Sequence, residues 1–141
     1  MKKLLLLLFI ISLPDITIAQ DKNLIGTWKI INVEGSTAEF IFDSEDYITM
    51  ISGGIEFGGK EFDLEGIKAS LKYETDQTTT PFKLIYRLID LSGNLDSAAM
   101  GGVYRYINND KILIRLNPNL GQSYDEFSET NDSDTFVLKR Q

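Results

Sequence analysis

The chain holds no histidine and no cysteine, so any chemistry must come from carboxylates, hydroxyls, lysines and the backbone. That excludes a Ser-His-Asp or Cys-His nucleophile and a zinc site of the usual ligands. A Ser-Lys arrangement stays formally open. The densest carboxylate group is Asp43, Glu45 and Asp46. Paired carboxylates can divide acid and base work, but these sit in Asp43-Ser44-Glu45-Asp46, which reads as a hairpin turn with solvated side chains. Gly53-Gly54 and Gly58-Gly59 lack the spacing and the Lys-Ser/Thr with which a glycine-rich loop cradles phosphate. The acidic stretch from Asp125 to Asp134 offers the oxygen donors calcium takes. It lacks the glycine and distal glutamate of an EF-hand loop, and reads as a solvated loop. No metal, cofactor or catalytic residue is expected, and the chain does not read as an enzyme.

What remains is aromatic. Tyr73, Tyr86, Tyr104 and Tyr106, together with Phe42, fall on faces assigned below to an interior. A tyrosine joins a large apolar face to a hydroxyl that wants a partner. Such residues suit either a filled core with bonded hydroxyls or a cavity holding the polar end of a small ligand. Both readings stay open on sequence. The binding reading places a small apolar or amphipathic ligand among Phe42, Tyr73, Tyr86, Tyr104 and Tyr106. The alternative is a solid barrel acting as a protein-interaction module, for example a secreted inhibitor, through the Gly53–Glu65 and Leu120–Ser133 loops.

The elements that must position these residues are strands. Hydrophobicity alternates with period two almost everywhere. Ala38, Phe40 and Phe42 share a face, as do Ile67, Ala69, Leu71 and Tyr73. Phe82, Leu84, Tyr86 and Leu88 form another such row, and Ile112, Ile114 and Leu116 a fourth. Asx-rich turns at 43–46, 92–94, 108–110 and 117–119 separate the runs. The pattern predicts about eight strands, near 25–34, 37–43, 46–52, 66–75, 82–91, 101–107, 111–116 and 134–140. Gly53 to Glu65 reads as a loop or a distorted strand. Short antiparallel strands with hairpin-length connections predict an all-β, closed up-and-down barrel, whose closure removes exposed edges. An outer-membrane barrel would need strands of roughly 9–11 residues and an apolar outer band. Several runs here are shorter, and one face regularly carries Lys, Glu and Arg.

The first nineteen residues read differently. Lys2 and Lys3 precede an unbroken apolar run from Leu4 to Leu13, and Thr17-Ile18-Ala19 places small residues before Gln20. This is the order of a secretory signal cut after Ala19. The apolar run is about half of the roughly 20 residues a spanning helix needs. The expected organisation is therefore a signal peptide over 1–19 and one barrel domain over 20–141, exported to the periplasm or beyond. Without a cysteine there is no site for a lipid anchor and no disulfide. A net charge of −7 with no basic face argues against nucleic acid and against anionic membranes as partners.

The single tryptophan stands in Leu24-Ile25-Gly26-Thr27-Trp28. Alternation puts Gly26 and Trp28 on one face of the first strand. Arg140 shares a face with Phe136 and Leu138 on the last. If these strands pair, Gly26, Trp28 and Arg140 form the barrel closure, with the guanidinium across the indole. A Gly-x-Trp on the first strand under an Arg from the last resembles the lipocalin signature. The chain more closely resembles short secreted bacterial lipocalin-like domains, through Leu24-Ile25-Gly26-Thr27-Trp28, Gly102-Val103-Tyr104, Asn109-Asp110-Lys111-Ile112-Leu113-Ile114 and Phe136-Val137-Leu138-Lys139-Arg140. It departs from them at Ser123-Tyr124-Asp125-Glu126-Phe127, where those domains often carry Arg-Pro-x-x-Phe. The resemblance implies a lipocalin-type barrel and brings no activity with it.

Overall fold

The computed structural model describes residues 20–93, 98–119, 121–128 and 133–141. The expected signal over 1–19 lies outside them, as do Asn94 of the expected 92–94 turn and parts of the 120–133 loop. The alternating runs become nine strands: β1 (Gly26–Ile30), β2 (Glu39–Phe42), β3 (Ile48–Ser52), β4 (Ile55–Leu64), β5 (Ile67–Asp76), β6 (Phe82–Asp90), β7 (Ala98–Asn108), β8 (Lys111–Leu116) and β9 (Thr135–Arg140). Each pairs antiparallel with the next, and β9 returns to β1 with Trp28 opposite Arg140. The fold is the closed all-β barrel that the alternation predicts. The strand beyond the expected eight is β4, built from the glycine-rich Gly53–Glu65 segment.

A closed ring of strands that alternate in direction needs an even number, and β4 resolves the conflict. Its first part pairs with β3, Thr49 opposite Gly58, and its second with β5, Phe62 opposite Ala69. The register shifts between Gly59 and Phe62. Gly58 and Gly59 hold φ of 107° and 87°, and a Cβ on Gly58 would stand 2.4 Å from the Ile48 carbonyl oxygen. Only glycine accepts that conformation and that approach. The strand turns sharply there, so β3 meets β5 directly. Tyr47 pairs antiparallel with Lys72, and the Tyr73 N–H donates to the Asp46 carbonyl at 2.8 Å. The other eight strands then alternate round the barrel.

This direction count gives the barrel two ends. The β2–β3, β5–β6 and β7–β8 turns gather at one end with residues 20–25. The β1–β2, β3–β4, β6–β7 and β8–β9 connections lie at the other. Asx chemistry makes the tight turns, as expected. Asp43 Oδ1 accepts the N–H groups of Glu45 and Tyr47, both at 2.9 Å, and Asn108 Oδ1 accepts that of Asp110 at 2.9 Å. β1 stops at Ile30, short of the expected 34. Beyond it the Asn32 side chain, not the backbone ladder, accepts the Val137 N–H at 2.8 Å. Trp28, Phe42, Ile48, Leu71, Leu84, Tyr104, Ile112, Ile114 and Leu138 are fully buried between the ends.

Candidate functional site: a plugged end and an apolar mouth

Residues 20–24 cross the first end as a plug. Leu24 is fully buried, and its N–H donates back to the Asp21 carbonyl at 3.0 Å. Asp21 is only 3% exposed. Its Oδ2 accepts the hydroxyls of Tyr104 at 2.8 Å and Tyr106 at 2.7 Å. Its Oδ1 accepts the Asn23 N–H at 3.0 Å, and its own N–H donates to Thr75 Oγ1 at 3.0 Å. A buried carboxyl group is tolerated because each oxygen has a donor. Beside it, Gln20 Nε2 donates to the Tyr73 hydroxyl at 2.8 Å and to the Asp43 carbonyl at 3.0 Å. The Tyr73 hydroxyl donates to the same carbonyl at 3.0 Å.

These bonds show in the phenols' acidity. Burial pushes Tyr73 up to about 12, against the partial offset of the Gln20 donor. Burial raises Tyr104 and Tyr106 further, and the Asp21 carboxylate that accepts their protons' bonds adds to it. The rings interlock edge to face, Phe42 on Tyr73 at 5.0 Å, Phe82 on Tyr104 at 5.5 Å and Tyr104 on Tyr106 at 6.0 Å. Four of the five expected ligand residues, Phe42, Tyr73, Tyr104 and Tyr106, thus belong to this plugged end, with the three tyrosine hydroxyls bonded within the protein.

The tryptophan lies against the same plug. Trp28 Nε1 donates to the Leu24 carbonyl at 2.8 Å, and the Arg140 guanidinium carbon sits 4.2 Å from the indole centroid. Arg140 also donates to the carbonyls of Ile25, at 2.9 Å, and Asn23. Gly26, at φ 137°, leaves room for it: a Cβ there would stand 3.1 Å from an Arg140 nitrogen. A hollow of about 380 Å³ opens beside Asn23, Tyr106, Asn109 and Arg140. Arg140 gives donors to backbone carbonyls there, so the hollow does not present it as a free anion clamp.

The second end is different. An open hollow of about 600 Å³ is lined by Phe40, Met50, Phe57, Tyr86, Met100, Leu116, Pro118 and Phe136, with Ser133 and Asp134 at its edge. Tyr86 is the one expected ligand residue found there. Its hydroxyl donates to the Asn117 carbonyl at 3.0 Å, and burial pushes its pKa up to about 12. The two methionines make this wall adaptable, since the unbranched thioether repacks readily. At the rim, Asp134 receives the Tyr124 hydroxyl and lies 3.4 Å from Arg115 Nε. The Arg115 guanidinium stacks 3.7 Å from the Tyr124 ring centroid.

The five residues expected to share one site are divided between the two ends, Tyr86 at the mouth and the other four at the plug. Alternation puts Phe40 on the face of Phe42, and Phe136 on that of Leu138, whereas Met50, Phe57 and Met100 were not singled out. Nothing local tells which layer stays open. Asp21 had no signal at all, since it reads as a polar tail beside the expected cleavage point. Comparison with protein-family models, with curated proteins and with solved structures finds no match to this chain.

Proposed function

We propose that this is a secreted, non-enzymatic, lipocalin-like binding protein that takes a small apolar or amphipathic ligand in the mouth of its barrel. The observation that carries the reading is the asymmetry of the two ends. One end is filled with bonded polar side chains and sealed by residues 20–24. The other leaves about 600 Å³ of almost wholly apolar wall open, within the range of small-molecule sites. Gly26 and Trp28 under Arg140 support the lipocalin kinship, and the Lys2-Lys3, Leu4–Leu13 and Thr17-Ile18-Ala19 order supports export.

A neutral fluorescent probe such as N-phenylnaphthylamine should bind the protein with enhanced emission. Met100→Trp, which fills the mouth, should abolish that binding, whereas Tyr104→Phe at the plugged end should leave it unchanged. Absence of probe binding, or indifference to Met100→Trp, would overturn the site. The second reading, a protein-interaction module, draws on exposed aliphatic residues at the same end. Ile55 is 74% exposed at the β3–β4 turn, and Ile31 and Val33 stand out from the β1–β2 loop. Native mass spectrometry of protein taken from its own host separates the two. A retained small mass supports the mouth as a ligand site, and a retained polypeptide supports the loops.

A further inference from the structure

Resting on that reading of the mouth, we infer that its ligand carries no negative charge: the site selects cationic or uncharged amphiphiles and rejects anionic ones such as fatty acids. The lining contains no lysine or arginine among the described residues, and Asp134 is the only carboxylate in it. The basic groups nearest in sequence are already paired. Arg115 alternates with the inward Ile114 and Leu116, so it projects outside. There it pairs with Asp134, donates to the Glu126 carbonyl at 3.1 Å and stacks on Tyr124. Lys83 reaches Asp125 at 3.1 Å.

An anionic head entering the mouth would therefore lose water without gaining a counter-ion, the costly form of burial. It would do so against a chain of net charge −7, whose field repels anions on approach. A hydroxyl, amine or quaternary ammonium head meets neither cost. Asp134 and Ser133 are the polar residues of the lining besides Tyr86, whose hydroxyl is already committed to Asn117. The wall thus recognises the tail, and the lack of a counter-ion in the lining sorts the head by sign.

Three probes of one chain length test this: dodecyltrimethylammonium, dodecanol and dodecanoate, each below its micelle concentration, displacing N-phenylnaphthylamine from the purified protein at low salt. The ammonium and the alcohol should displace it, and dodecanoate should be weaker than the ammonium by about tenfold or more. High salt should narrow that gap, because the repulsion from the chain's net charge of −7 acts through solvent and is screened. Asp134→Asn, which removes the one carboxylate of the lining, should narrow it too. Dodecanoate binding as tightly as the ammonium, or a gap insensitive to salt, would overturn the inference and leave the mouth standing as a ligand site. If no probe of any charge binds, it is the mouth itself that fails. The salt arm needs no variant, so the outcome does not hang on the folding of Asp134→Asn.

Discussion

Asp21→Ala is the sharpest perturbation of this barrel, because one short side chain satisfies three donors from two parts of the chain. Its removal leaves the Tyr104 hydroxyl, fully buried, and the Tyr106 hydroxyl, partly buried, without their shared acceptor. An orphaned buried hydroxyl costs about 1–3 kcal/mol. Tyr106 borders an open hollow and can recruit water, so most of the cost falls on Tyr104. The expected loss is about 2–4 kcal/mol, a large part of the roughly 5–15 kcal/mol that holds a domain together. Urea unfolding followed by the fluorescence of the single tryptophan, which lies against the plug, reads the loss as a lower midpoint at constant slope.

In a Tyr104→Phe/Tyr106→Phe background the same Asp21→Ala change removes a buried carboxylate that has already lost both phenols. It should then be far cheaper, or stabilising, with a coupling of about 2 kcal/mol. A loss below about 0.5 kcal/mol for Asp21→Ala, typical of a surface residue, would refute the plug. So would strict additivity in the cycle.

Trp28→Ala should cost about 3–5 kcal/mol, the usual penalty for emptying a large core site. Arg140→Ala should cost about 2–3 kcal/mol, through the indole contact and its bonds to the Ile25 and Asn23 carbonyls. The two should couple in a double-mutant cycle, and independent effects would show that the guanidinium does not rest on the indole. At alkaline pH the buried phenols become a liability. Tyr73 and Tyr86 ionise near 12 in the folded chain, Tyr104 and Tyr106 higher still, against about 10 when unfolded. Stability is therefore complete below pH about 10 and falls as pH rises from there towards 12 and beyond. Tyrosinate absorbance followed beside circular dichroism should show these phenols ionising only as the barrel unfolds; ionisation of all six tyrosines near pH 10 with the fold intact would contradict their burial.

Period-two patterning is a local property, and most of the barrel was legible from it. Rows such as Ala69, Leu71 and Tyr73 must turn one face inward whatever their neighbours do. Asx turns at 43–46 and 108–110 fold on contacts within four residues, so they too could be read directly. The closing contact of Trp28 with Arg140 was within reach because a barrel of this type joins its first and last strands. By contrast, the glycine pair at 58–59 was ambiguous. Its sharp bend answers a parity requirement of the whole ring, which no window around it contains.

The depth of each inward residue was a tertiary matter. Alternation assigns a side chain to the interior but not to a layer, since layer depends on strand tilt and register summed round the barrel. Tyr86 and Tyr104 therefore look equivalent in sequence, yet one borders an open mouth and the other is bonded within a plug. Asp21 is the extreme case. Its residue type and its place next to the expected cleavage point both favour exposure. It is buried because Tyr104 and Tyr106, over eighty residues later in the chain, bring hydroxyls to meet it, and only closure of the ring places those donors there.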